Sequence, residues 1–228
     1  MGRVLVVSGT GRYADPWHPF AATSAAVAEV AEEVGAKVRI ADDVDAALSG
    51  LGDVDLLVVN AGDSRRNVPE DAPLPDAATL AAAREASEAF VDRGGALLGL
   101  HTAAASLSDY PALDARLGIA WVPGTSWHPA LGPARVRITE AGTTHPVTRE
   151  LRDFTVLDER YTDLLVARPG SAAVLAEHAE AGGTHPLVVA REERGRVVYD
   201  ALGHDLRSYA DGQRRRLLAR ELRWLLGA

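Results

Sequence analysis

The chain has 228 residues, 47% of them apolar and 25% charged, with a formal net charge of -8. This is the composition of a globular domain long enough to bury a full core, and its acidic balance argues against nucleic acid as a partner. The absence of cysteine excludes a thiol nucleophile, thiolate metal ligands, iron–sulfur ligation and disulfides.

In chain order, the apolar run 4–7 predicts a short buried strand that ends in Ser8-Gly9-Thr10-Gly11. Residues 21–34 predict a helix with small and apolar residues on one face and Glu29, Glu32 and Glu33 on the other. A strand over 38–40, a short helix or turn over 42–51 and a strand over 56–59 follow. The polar, proline-bearing stretch 64–75 predicts a loop. A long helix over 75–93 stops at Gly94-Gly95, and a strand over 96–100 completes the first half. Strands separated by helices imply a parallel sheet with right-handed crossovers. The second half predicts strands over 135–139, 174–177, 187–191 and 196–200, then one helix over 207–226 with a leucine stripe. No composition shift divides the chain, so one domain over 1–228 is expected. No apolar run reaches the length of a membrane span, and 4–7 is too short for a signal-peptide core, so a cytoplasmic protein is expected.

Ligands of open parallel α/β sheets bind outside the carboxyl ends of the strands. Beyond the first strand stand Trp17 and His18; beyond the third, Asn60; beyond the fourth, His101; and beyond the last, His204. His101 lies where a strand turns sharply into small residues. That geometry presents a side chain, and leaves backbone amides for an anion, at a helix start. A histidine there can act as acid or base or bind a metal, or it can be a packed ring. Trp127-His128 lies in a loop near Trp121, a setting that suits a pocket wall. Asp158 and Glu159 point to opposite faces if extended, so one of them, Glu159, is favoured for the site, with Tyr161 beside it. Trp17 and Trp127 offer apolar faces for a sugar ring. His145 and His185 precede prolines and read as turn residues. His178 and the run Arg214-Arg215-Arg216 read as solvated. The one lysine, Lys37, has no glycine-rich loop and is set aside as a phosphate or catalytic group. Gly9-Thr10-Gly11 lacks the third glycine of a dinucleotide fingerprint.

Several pieces together resemble the ThuA-like (trehalose utilisation) family of the class I glutamine amidotransferase-like superfamily. They are Gly94-Gly95 through Leu100-His101-Thr102-Ala103-Ala104, His128-Pro129, His145-Pro146, Asp158-Glu159-Arg160-Tyr161, His185-Pro186 and Gly195 through Gly203-His204. The resemblance implies an α/β, flavodoxin-like three-layer sandwich with a mostly parallel central sheet. It also implies that His101 stands where amidotransferases carry their cysteine, so glutamine hydrolysis by the thiolate route is not expected. Family members often carry a histidine directly after the first strand's glycines. Here Gly11-Arg12-Tyr13 fills that place, and His18 is the nearest histidine.

The resulting expectation is a protein of carbohydrate utilisation acting on a sugar or keto-sugar. His101, His204 and Glu159 are the catalytic candidates, and His18, Trp17, Trp127, His128, Tyr161 and Asn60 are the substrate-binding candidates. His101, His128 and His204 are suited to a divalent zinc, nickel or manganese ion. The alternative is a non-catalytic sugar-binding or regulatory module on the same scaffold. A homodimer is the base-rate expectation for assembly.

Overall fold

The computed structural model describes residues 1–228, the side chain of Pro169 excepted. The first half alternates as expected: β1 (Arg3–Ser8), α1 (Phe20–Glu33), β2 (Lys37–Ala41), α2 (Val44–Leu48), β3 (Leu56–Asn60), α3 (Ala77–Asp92) and β4 (Ala96–Leu100). Asp43 and Asp76 cap α2 and α3 by accepting the N–H groups of Ala46 and Thr79. The short helices α4 (Ala103–Ser106) and α5 (Pro111–Leu117) follow, then β5 (Ile119–Ala120), β6 (Gly132–Ile138), α6 (Glu140–Thr144), β7 (Phe154–Asp158) and β8 (Leu165–Val166). The chain ends with β9 (Ala173–Glu180), β10 (Gly183–Glu192), β11 (Arg196–Asp200), α7 (Leu206–Tyr209) and α8 (Gly212–Leu226).

Nine strands form one sheet in the order β2-β1-β3-β4-β11-β10-β9-β6-β7. The first five of these run parallel, and every β1, β3 and β4 residue except Arg3 is buried. This explains their unbroken apolar runs: helices α1, α7 and α8 cover one face, and α2, α3 and α5 the other. The fold is therefore α/β with a flavodoxin-like parallel core. From β10 outward the ladders are antiparallel, built by hairpins rather than crossovers. The close packing of the β4 and β11 entries needs glycine. A Cβ on Gly94, which has φ +78°, would stand 2.0 Å from the Arg194 carbonyl oxygen.

Two expectations change. The helix expected over 207–226 is broken, because Asp211 turns its carboxylate onto the N–H groups of Gln213 and Arg214 and starts α8 afresh. The edge strand β7 was not foreseen: its short Phe-Thr-Val-Leu-Asp run carries too little pattern to announce itself.

Beyond β1 the chain is pinned by buried charge. Arg12 grips Asp45 through Nε and Nη2 at 2.8 and 2.6 Å, and its Nη1 donates to Asp109 at 2.6 Å. The Tyr13 and Tyr110 hydroxyls also donate to Asp45. Burial alone would raise the Asp45 carboxyl, but the Arg12 and tyrosine hydrogen bonds outweigh it and hold the pKa below the usual carboxylate value. The stabilisation is therefore complete above the unfolded pKa and is lost as pH falls through the lower folded value. Asp45→Asn, which leaves the guanidinium short of an anion, is expected to lower unfolding stability by about 3 kcal/mol at pH 7. The gap to the parent should narrow below about pH 4 in urea titrations.

Candidate functional site

The site grows from the end of β4. His101 has φ +45°, the left-handed region, and three hydrogen bonds hold it there. Its N–H donates to the Asp200 carbonyl at 2.7 Å, the Tyr199 hydroxyl donates to the His101 carbonyl at 2.9 Å, and ring Nδ1 meets the Ala201 carbonyl at 2.6 Å. A carbonyl can only accept, so Nδ1 donates to it and Nε2 is the nitrogen turned to the site. The ring is buried and stacks on Tyr161 with centroids 4.2 Å apart. The anion site expected at the following helix start is not formed. Helix α4 has only four residues, and the amides of Ala104 and Ala105 already donate to the His101 and Thr102 carbonyls.

His18 reaches the same place from the segment between β1 and α1. Its Nδ1 lies 2.8 and 2.7 Å from the two Asp15 oxygens, which directs Nε2 towards His101 and His204. Burial lowers the His18 pKa, and it outweighs the opposing pull of Asp15. Arg12, in the place where the resemblance puts a histidine, is instead committed to its buried ion pairs. His204 follows β11 on a tight turn. Gly203 has φ +122°, and a Cβ there would meet the Tyr209 hydroxyl at 2.5 Å.

Glu159 completes the set from the end of β7. Its Oε2 lies 3.3 Å from His101 Nε2 and 3.3 Å from His204 Nδ1, and its Oε1 lies 3.5 Å from His128 Nδ1. Burial would raise the Glu159 pKa, but the neighbouring His101 and His204 rings hold it well below the usual carboxylate range. His204 moves oppositely: burial would lower its pKa, yet Glu159 raises it. Asp158 faces away from Glu159, as an extended chain requires, and accepts the N–H groups of Gly203 and His204 at 2.8 and 3.1 Å.

His18, His101, Glu159 and His204 thus offer four ligand atoms within 4.8 Å of one another, a group that could hold a metal ion. His18 Nε2, His101 Nε2 and His204 Nδ1 are buried with no hydrogen-bond partner, and such orphaned atoms fit a cation. His128 is not in this group: its ring is more exposed and touches only Glu159 Oε1 and the Pro129 carbonyl. The set therefore differs from His101, His128 and His204 by gaining His18 and Glu159 and losing His128. Beside it opens a cavity of about 150 Å³ lined by Trp17, His18, Trp121, His128 and Tyr161 among others.

Two other expected residues lie elsewhere. The Asn60 amide is buried and donates to the Thr23 and Ser24 hydroxyls, so it ties β3 to α1. Trp127 is outside the cavity lining, and its indole N–H donates to Asp163. His178 is buried rather than solvated, and its Nε2 meets the Tyr161 carbonyl at 2.8 Å, which supports the ring that stacks on His101. Asp15 was missed as a functional residue. An aspartate three positions before a histidine in a strand-end loop was the available signal.

Behind the site lies a second correction. Arg214 does not sit on an exposed face but is fully buried, with Nη2 2.9 Å from Asp200 Oδ2 and Glu221 buried alongside. One guanidinium cannot balance two carboxylates in this interior. Burial, reinforced by the charge of Asp200, raises the Glu221 pKa far above normal, so Glu221 holds a proton while Asp200 and Arg214 form the ion pair. Asp200 also accepts the Leu202 N–H at 2.9 Å, so the pair anchors the His204 turn. Arg214→Met is expected to reduce unfolding stability by about 3–5 kcal/mol, and adding Asp200→Asn should restore much of it in chemical denaturation.

Residues 3–225 match the family model ThuA, described as trehalose utilisation. No curated protein matches the sequence. Among solved structures, a ThuA-like protein from Bacteroides uniformis aligns with TM-score 0.73 and 18% identity over 98% of this chain and 91% of its own. A ThuA-like protein from Parabacteroides merdae aligns with TM-score 0.73 and 17% identity over 98% and 89%. The glutaminase domain of Trypanosoma brucei CTPS aligns with TM-score 0.50 and 10% identity over 97% and 91%. At these identities the structures are alike in fold. With the family model spanning nearly the whole sequence, the chain belongs to the ThuA family.

Proposed function

We propose that the protein is an enzyme of carbohydrate utilisation that acts on a sugar or keto-sugar in the histidine-lined cavity with the help of a divalent metal ion. The observation that carries this reading is the convergence of three unpartnered buried imidazole nitrogens on Glu159. Membership of a trehalose-utilisation family supports a carbohydrate as the ligand. Among the described residues no helix is long and apolar enough to cross a membrane, which accords with a small-molecule substrate met in the cytoplasm.

His18, His101, His204 and Glu159 would hold the ion, and neutral imidazoles with one carboxylate suit zinc, nickel or manganese. A divalent ion supplies Lewis acidity that polarises a sugar carbonyl and favours enolisation or isomerisation. The remaining groups position and shield the ligand. Asp15 and the Ala201 carbonyl fix the tautomers of His18 and His101. Trp17, 59% exposed, and Trp121 give the cavity apolar walls for a sugar face. His128 stands in the cavity wall beside Glu159, where its ring can exchange protons with substrate oxygens. Glu159 favours the protonated form of His204, so a cation binding there competes with a proton and binds more weakly as pH falls.

Elemental analysis of untagged protein tests the reading. The parent is expected to carry near-stoichiometric zinc, nickel or manganese, with affinity reduced at least about tenfold in His101→Ala and His204→Ala. His128→Ala should keep the metal and lose turnover of keto-sugars. A parent that stays metal-free after incubation with all three ions overturns the metal. Sugar binding without turnover would instead favour a non-catalytic module, the reading to which the missing cysteine points.

A further inference from the structure

The hydrogen-bonding groups around the cavity are unevenly committed. Most of the carboxylate acceptors are taken, Asp63 Oδ2 excepted. Asp15 gives both carboxylate oxygens to His18 Nδ1, and its Oδ1 also accepts the N–H groups of Trp17 and His18. Asp63 Oδ1 accepts the Arg65 N–H at 2.9 Å, and the Thr102 hydroxyl donates to the Ala61 carbonyl. Glu159 faces the histidine rings.

The donors are open. Arg66 is the one arginine or lysine in the lining, and its closest acid is Asp63 Oδ2 at 3.9 Å, beyond hydrogen-bond reach. Its neighbour Arg65 is anchored to Asp109 at 2.7 Å, and the buried Arg12 is anchored there too. The indole N–H groups of Trp17 and Trp121 find no acceptor among the described residues, in contrast to that of Trp127, which donates to Asp163. Arg66 stands in the 61–76 loop beside Asn67, whose φ of +57° turns the chain at the cavity rim. A wall of unused donors, one of them a guanidinium, next to a cluster of three imidazoles and one carboxylate that suits a cation, calls for a ligand rich in acceptors and negatively charged.

We propose that the cavity takes a sugar acid, a carbohydrate bearing a carboxylate, with the carboxylate on the Arg66 guanidinium and the carbon skeleton against Trp17 and Trp121. This rests on the carbohydrate reading above and narrows it. A carboxylate fits better than a phosphate. One planar guanidinium matches a carboxylate in bidentate fashion, whereas the lining offers no second arginine or lysine for a dianion and places Asp63 close by.

Calorimetric titration of the full chain as purified, with its metal content measured alongside, tests the proposal. The probes are matched pairs: D-glucuronate with D-glucose, D-galacturonate with D-galactose and D-gluconate with D-glucitol, plus D-glucose 6-phosphate. At least one acid is expected to bind at least about tenfold more tightly than its neutral partner. Arg66→Ala should abolish that preference and Arg66→Lys should keep part of it, both with the parent's metal content. Equal affinity within every pair, a preference that survives Arg66→Ala, tightest binding of the sugar phosphate, or no binding of any probe overturns the proposal. The acid-to-neutral ratio is read with or without bound metal, so a metal-free parent would sink the metal-assisted reading and leave this one standing or falling on its own.

Discussion

Asp158 is the joint of the molecule. Two N–H groups of the β11 turn, those of Gly203 and His204, end on its carboxylate, and it stands at the tip of the outermost strand of the sheet. The antiparallel strands continue the sheet through the β10–β11 ladder, and this contact ties their outer edge back to the parallel core. With it, the end of β7 is fastened over the carboxyl edge, and the next residue, Glu159, is delivered to the histidines. Period-two alternation does the rest: once Asp158 faces the β11 turn, Glu159 must face the other way.

Burial of polar groups gives the site its order. Two of the three histidines have one nitrogen fixed by an outer partner, Asp15 for His18 and the Ala201 carbonyl for His101, so the opposite nitrogen is aimed rather than free to turn. Beneath them the Asp200–Arg214 pair, with protonated Glu221 beside it, holds the β11 end rigid from the α8 side. Arg12 with Asp45 and Asp109 performs the same service where the chain leaves β1. Charges so enclosed tolerate few arrangements, because each must find its counter-charge or lose its ionisation. That rigidity keeps four ligand atoms within 4.8 Å of one another on four separate parts of the chain.

Much of this was legible in the residues. The apolar runs ending at Val7, Val59 and Leu100 marked buried parallel strands, and the position of His101, His204 and His18 beyond strand ends marked a common edge. Asn60 obeyed the same rule and is structural, because the hydroxyls of Thr23 and Ser24 on α1 take its amide before any ligand could. His178 and Arg214 looked solvated because polar neighbours in sequence imply an exposed face. Their burial follows from partners 17 and 14 positions away, the Tyr161 carbonyl and Asp200. His128 and His18 exchanged places in the ligand set for a similar reason. Sequence shows that a histidine lies in a loop, but not how far its ring reaches or which nitrogen its partner occupies.

The sequence by itself determined the α/β alternation, the loss of the amidotransferase thiol and the membership in a family whose pieces recur in order. These are local properties, set by periodicity, side-chain chemistry and the absence of a residue type. Only the tertiary structure decided that β7 closes the sheet, that Glu159 meets His18, His101 and His204, and that Arg66 faces the same cavity with its donors unused. Those outcomes depend on pairings between strands and turns, such as those of Asp158 with the β11 turn 45 and 46 residues on, that no local pattern links. They were settled by which buried charges and hydrogen bonds could be satisfied together.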